Sequence, residues 1–241
     1  RVYLVFIVVF VRFVMKRFYL SVLFLCSFGS LFAGGPSFAF CDYSQGKVFI
    51  QENGEIVWEH KAPDSNDIWV LPNKNILFTA GKEVLEVSRK NDTIFHYTSE
   101  SNIFACQRLK NGNTFIGECD NGRLLEVSPD GSIVKDVSIL PFGVKTGGHA
   151  FMRNARCLDN GHYLVAHYGG KSVVEYDENG KAVWNIPISG GAHSVIRLPS
   201  GNTLVAVTDK DNNPGVFEYD MAGNIAVSYT HLRAHETSLH L

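Results

Sequence analysis

Two histidines in this chain each follow a glycine pair closely, in Gly147-Gly148-His149 and Gly190-Gly191-Ala192-His193. An imidazole titrates near neutral pH, so either ring could move a proton or bind an anion. Flanking glycines would let the backbone approach a ligand closely. Together the rings could hold a shared anion, a substrate or a metal. A metal needs at least a third protein donor, and no spacing fixes one. His167, at the end of Leu164-Val165-Ala166-His167, falls near a strand end instead. No metal site is therefore expected, and two histidines bonded to nearby backbone is the simpler reading on that point. Acid–base chemistry needs only one of them. Other polar segments that enter strands are Asp64-Ser65-Asn66-Asp67, Glu100-Ser101-Asn102 and Arg153-Asn154. The candidate ligand-binding set is Asn66, Asp67, His149, Arg153, Asn154 and His193. Nothing in the chain has the form of a nucleophile elbow or a phosphate loop, so no catalytic residue is assigned.

Arg108, Arg156 and Arg197 recur ahead of the leucine of a repeated turn. They could bind anions, but a repeated position points first to a repeated hydrogen bond or ion pair between structural units. Trp58 and Trp184 recur in the same way, with Phe95 near that position. Packing between units outweighs sugar stacking there. Cys41, Cys106, Cys119 and Cys157 form no pairing pattern and read as buried thiols.

The elements that must position these residues are strands. Twenty-two glycines in 241 residues, many beside Asn or Asp, mark frequent turns. β-branched and aromatic residues fill the intervals. A strand–turn–strand unit recurs at Ile68–Phe78, Cys106–Ile116, Ala155–Val165 and Val195–Val205. The Asn-Gly type of dipeptide at its tip predicts type I′ hairpins. A second hairpin follows each first one, as in Leu124-Leu125-Glu126-Val127 and Val173-Val174-Glu175-Tyr176. Two hairpins make a four-stranded antiparallel blade that cannot cover its own faces, which is why such units repeat. The fold class read from this is all-β, a β-propeller truncated to about four and a half blades. An insertion around Leu140–Gly148 widens one repeat and predicts a binding rim. Net charge is −2 and no basic stripe is present, so no nucleic-acid partner is expected.

The ends read differently. Met15-Lys16-Arg17, the apolar run from Phe18 and the small residues to Gly34 form a signal peptide over residues 15–34. Residues 1–14 then read as upstream sequence. Arg12, Lys16 and Arg17 interrupt the apolar runs that a membrane span would need. The segment from Val227 to Thr237 resembles a translated sequencing adapter, so residues 227–241 read as an artefactual tail. His231, His235 and His240 carry no site argument. The propeller is expected over residues 41–226, secreted or periplasmic.

On Asp67-Ile68-Trp69-Val70-Leu71-Pro72-Asn73, Cys106-Gln107-Arg108-Leu109, Gly117-Glu118-Cys119, His149 to Arg156 and Leu164 to Tyr168, the chain resembles secreted propellers with PQQ-like repeats. It is more distantly similar to the propeller of arylsulfotransferases. The resemblance implies a repeat propeller. It raises a quinone by name only: the quinoprotein blade motif has Asp, two residues, Thr-Gly, then Trp four positions after Gly. Here Asp177-Glu178-Asn179-Gly180-Lys181-Ala182-Val183-Trp184 is one residue short and lacks the Thr, so no cofactor is predicted. The expected role is binding of a small-molecule or carbohydrate ligand. The alternative is a transferase, lyase or hydrolase that uses a rim histidine.

Overall fold

The computed structural model describes residues 37–208 and 214–229. The expected signal peptide, the segment before it and residues 230–241 of the tail lie outside the described residues. Every regular element described is a strand. Blade 1 holds β1 (Phe38–Asp42), β2 (Lys47–Glu52) and β3 (Glu55–Lys61). Blade 2 holds β4 (Ile68–Val70), β5 (Ile76–Ala80), β6 (Glu83–Val87) and β7 (Thr93–Thr98). Blade 3 holds β8 (Ile103–Arg108), β9 (Thr114–Glu118), β10 (Arg123–Val127) and β11 (Ile133–Ser138). Blade 4 holds β12 (Asn154–Cys157), β13 (Tyr163–His167), β14 (Ser172–Tyr176) and β15 (Ala182–Pro187). Blade 5 holds β16 (Gly191–Arg197), β17 (Thr203–Thr208), β18 (Gly215–Tyr219) and β19 (Ile225–Tyr229).

Each sheet is a simple antiparallel meander in chain order. The molecule is thus a propeller of five blades, the first with three strands, rather than four and a half. The repeat count opened at Asp42 and so missed β1, whose five residues pair with β2. At the far end β19 runs through Val227 and Ser228 to Tyr229, pairing with β18.

The hairpin tips differ from the expected turn. Gly112, Gly161 and Gly201 have φ of +90°, +83° and +90°, but the residue before each does not have positive φ. In each tip the glycine N–H bonds the leucine carbonyl three residues back: Gly112 to Leu109, Gly161 to Leu158, Gly201 to Leu198. That is a type I turn closed by a left-handed residue, the three-residue hairpin. In blade 2 Lys74 takes the left-handed place with φ +72°. Asn53-Gly54, with both φ positive at 54° and 87°, is the one described Asn-Gly pair that forms the mirror-image turn.

The core lies between blades. Four clusters of buried apolar side chains each join successive sheets, one to two, two to three, three to four and four to five. Phe78, Phe115, Leu124 and Leu164 are fully buried in them, each contributing roughly 1.5–3 kcal/mol of burial. Trp58 is buried in the first cluster, and Trp184 packs on the last while its indole N–H donates to the Met221 carbonyl at 2.9 Å. These tryptophans pack between blades, as their repetition implied. Arg108 and Arg197 pair with Glu86 and Glu175 of the preceding blade at 2.6 and 2.7 Å, over the rings of Phe95 and Trp184. Arg156 does not belong with them. It stands two residues before its leucine, not one, and strand alternation therefore puts it on the other face. Cys157 takes the place of the paired arginine in blade 4.

Candidate functional site

The inner strands β4, β8, β12 and β16 bring one repeat position to the axis. Asn66, Phe104, Arg153 and His193 each stand five residues before a turn leucine: Leu71, Leu109, Leu158 and Leu198. In β8 the register shifts between Ile103 and Ala105, and in β16 between Ala192 and Ser194. Phe104 and His193 are the extra residues at these bulges, which re-aim a side chain away from the sheet's own alternation. The four meet. Arg153 Nη1 donates to Asn66 Oδ1 at 2.7 Å, across the axis from blade 4 to blade 2. Its Nε donates to His193 Nε2 at 3.2 Å. Its guanidinium carbon lies 4.7 Å from the centre of the Phe104 ring.

His149 joins from the insertion. Its ring is 5.9 Å from Phe104, edge-on, and 5.6 Å from Tyr168, which is 6.5 Å from His193. The insertion is tied down by backbone bonds from Gly147 and Gly148 to Asp120 and Cys119 carbonyls, and from Gly169 to Ala150. Its glycines serve this docking: a Cβ on Gly147 would come 2.6 Å from the Cys119 carbonyl oxygen. The Gly190-Gly191 pair has a similar reason, since Cβ atoms there would meet the Thr208 carbonyl at 2.7 Å and the Tyr168 ring at 2.4 Å. His193 is thus the repeat counterpart of Arg153, and His149 is an addition rather than a second copy.

Asp67 and Asn154 take no place in this group. Each is buried one residue further along and accepts a backbone N–H from the next blade, Cys106 to Asp67 at 3.0 Å and Val195 to Asn154 at 3.4 Å. Asp67 also holds Arg156 through two bonds of 2.6 and 2.9 Å, with both side chains almost fully buried. Arg156 lies over Trp69 at 5.1 Å. This second pair also links blades 4 and 2, one residue beyond Asn66 and three beyond Arg153. Of the six candidates, the structure brings Asn66, Arg153 and His193 into contact, sets His149 beside them through Phe104 and Tyr168, and spends Asp67 and Asn154 on joining blades. Phe104 and Tyr168 were missed by reading polarity alone. Counting back five residues from the turn leucine would have found Phe104.

The electrostatics follow from this packing. Arg153 has a donor on His193 Nε2, so that nitrogen is the acceptor and the proton sits on Nδ1. Burial, then the charges of Arg153 and His149, push His193 down to about 4. Burial and Arg153 also lower His149, against a smaller opposing effect of Asp120. Both rings are neutral at pH 7. His193 Nδ1 is buried without a hydrogen-bond partner among the described residues. Burial lowers Arg153 as well, offset by Cys119, Tyr43 and Tyr168. A surface depression of about 500 Å³ adjoins through Tyr43 and Asp64 but does not include the histidines. The thiols are unreactive in kind: burial raises Cys119 to about 12 and lifts Cys106 well above its ordinary value. Among the described residues no cluster of three or more His, Cys, Asp or Glu could hold a metal, and no helix is long and apolar enough to cross a membrane.

No family model matches the chain, and no curated protein sequence does. Solved structures do. A protein of unknown function from Bacteroides caccae is 21% identical with a TM-score of 0.69, over 80% of this chain and 72% of that one. A catalytically inactive histidine-to-alanine variant of virginiamycin B lyase from Staphylococcus aureus, with quinupristin, is 14% identical with a TM-score of 0.56, over 83% and 71%. The WD40 β-propeller domain of Doa1 is 13% identical with a TM-score of 0.54, over 70% and 59%. At such identities the likeness is one of fold, and the fold is the β-propeller.

Proposed function

We propose that this chain is an exported propeller of the PQQ-like repeat type that binds a small molecule at the mouth formed by Asn66, Phe104, His149, Arg153, Tyr168 and His193. The observation that carries the reading is convergence. Side chains from three different blades touch Arg153, which a purely local structural role would not require. Ligand sites favour such places, where a few polar groups stand among rings. Export rests on residues 15–34 alone, and no quinone is part of the proposal. The test is a thermal-shift screen with monosaccharides, small carboxylic acids and their amides. Compounds that raise the Tm of the parent should fail to raise that of Tyr168→Ala. Equal shifts in both proteins would place binding elsewhere.

A second reading, an enzyme, is favoured by one group. His149 is exposed, neutral at pH 7 and makes no hydrogen bond among the described residues, so its lone pair is available to take a proton. His193 is a poorer base because Arg153 occupies its Nε2. A histidine-to-alanine change inactivates the similar virginiamycin B lyase. Turnover of any ligand found above, lost in His149→Ala with affinity kept, would favour this reading. Binding without turnover in the parent would set it aside.

A further inference from the structure

Six arginines stand among the described residues. Five hold a carboxylate: Arg89 on Glu52, Arg108 on Glu86, Arg123 on Glu118 and Asp136, Arg156 on Asp67, and Arg197 on Glu175. Arg153 alone holds none, although it is half-buried at the axis. A guanidinium keeps its charge at any ordinary pH, and withdrawing it from water is costly unless an anion answers it. Its two protein acceptors, an amide oxygen and a neutral imidazole nitrogen, are both uncharged.

We propose that the ligand at this mouth carries a carboxylate, received by Arg153, on a flat or apolar body that lies against His149 and Tyr168. This rests on the binding reading above and names its ligand class. A guanidinium has five N–H groups in a planar fork. One on Nε goes to His193 and one on Nη1 to Asn66. The remaining three sit on the two terminal nitrogens, the pair that grips a carboxylate end-on. Nη2 has no acceptor among the described residues and is not sealed from solvent. Phe104 covers one face of the guanidinium and holds its plane. The Tyr43 and Tyr168 hydroxyls are close enough to act on its charge. The nearby acid Asp120 is already engaged: Oδ2 accepts both the backbone N–H and the amide of Asn102, and Oδ1 accepts from the Cys119 thiol. One free positive charge, with rings rather than lysines around it, matches a monoanion better than a phosphate.

The test is an NMR titration of the full chain, following the histidine and tyrosine rings, with benzoate, benzamide and inorganic phosphate. Benzoate should shift His149, Tyr168 and His193, and bind at least tenfold more tightly than benzamide. By answering the charge of Arg153 it should raise the titration midpoints of both histidines, a readout that needs no variant. Arg153→Gln should weaken benzoate at least tenfold more than it weakens benzamide. If benzamide binds as well as benzoate, or Arg153→Gln keeps benzoate affinity, the carboxylate is wrong and the mouth still stands as a site. Phosphate binding more tightly than benzoate also overturns the carboxylate. If none of the three disturbs these rings, the binding reading fails with it.

Discussion

The buried Arg156–Asp67 pair offers the sharpest test of how the axis is held. Asp67→Asn keeps the shape of the side chain and removes its charge. Arg156 then remains charged and almost fully buried, having lost the carboxylate that met it at 2.6 and 2.9 Å. Breaking a buried pair from one side costs about 3–5 kcal/mol. The amide oxygen can still accept one N–H, so about 3 kcal/mol is expected for Asp67→Asn. Arg156→Met leaves a buried carboxylate that keeps the N–H groups of Cys106 and Ile68, and about 3 kcal/mol is expected again. In the double variant neither charge remains, methionine fills the guanidinium's space, and the amide still serves Cys106. Its cost should be about 1 kcal/mol, a large coupling for residues 89 positions apart. Urea unfolding of the four proteins measures this, with an unchanged m-value as the check that each unfolds alike. A double variant as unstable as the two single changes combined would mean that blades 2 and 4 do not meet through this pair.

Three further outcomes follow from the same contacts. His193 sits near 4 when folded and near its ordinary ~6.5 when unfolded. Between those values the unfolded chain binds a proton that the folded one refuses. The stability tied to this ring is therefore intact above about pH 6.5 and lost as pH falls through 4, about 3 kcal/mol in all. Urea midpoints at pH 7, 5.5 and 4 should show this fall, and His193→Gln should remove most of it; an equal fall in the variant would refute the assignment. Gly191→Ala places a methyl 2.4 Å from the Tyr168 ring, so it should displace that ring and weaken ligands of the mouth tenfold or more, with smaller change in Tm. Cys106 and Cys119 should react with iodoacetamide at pH 8 only after urea unfolding; labelling of the native protein by mass spectrometry within minutes would contradict their burial.

Much of the architecture was legible because it is written in short-range chemistry. Turn leucines and Glu-Val or Glu-Tyr strand pairs recur in blades 2 to 5, with a glycine closing the leucine turn in blades 3 to 5, and each has a local reason. The turn type was not legible, since Asn-Gly serves the mirror-image turn at Asn53-Gly54 and the three-residue loop at Asn111-Gly112, and what separates them is loop length. At the axis, polarity picked out Asn66, Arg153 and His193, which meet there. It also picked out Asp67 and Asn154, which accept backbone N–H groups of the next blade instead, because a buried acceptor and an exposed ligand-binding group have the same composition. Strand alternation separates them, and bulges at Phe104 and His193 break that alternation where it matters.

The repeat also explains how a symmetric scaffold makes an asymmetric mouth. The position five residues before the turn leucine projects toward the axis, where its neighbours are the same position of other blades. It is therefore not bound by the packing that fixes the Trp, Glu and Leu positions between sheets. Asn66, Phe104, Arg153 and His193 differ in charge, size and polarity, yet all are carried on the same strand geometry. The next residue is held to a narrower choice. Asp67 and Asn154 must supply an acceptor to the following blade, and Ala105 and Ser194 are small and buried. One strand thus presents a variable residue to the mouth and a constrained one to its neighbour. The insertion then adds His149 without disturbing either, because it is fastened to Cys119 and Asp120 just after β9 and, through Ala150, to Gly169 just after β13. Exchanging residues at the variable position should change what the mouth binds while sparing the blades; exchange of the residue after it should do the reverse.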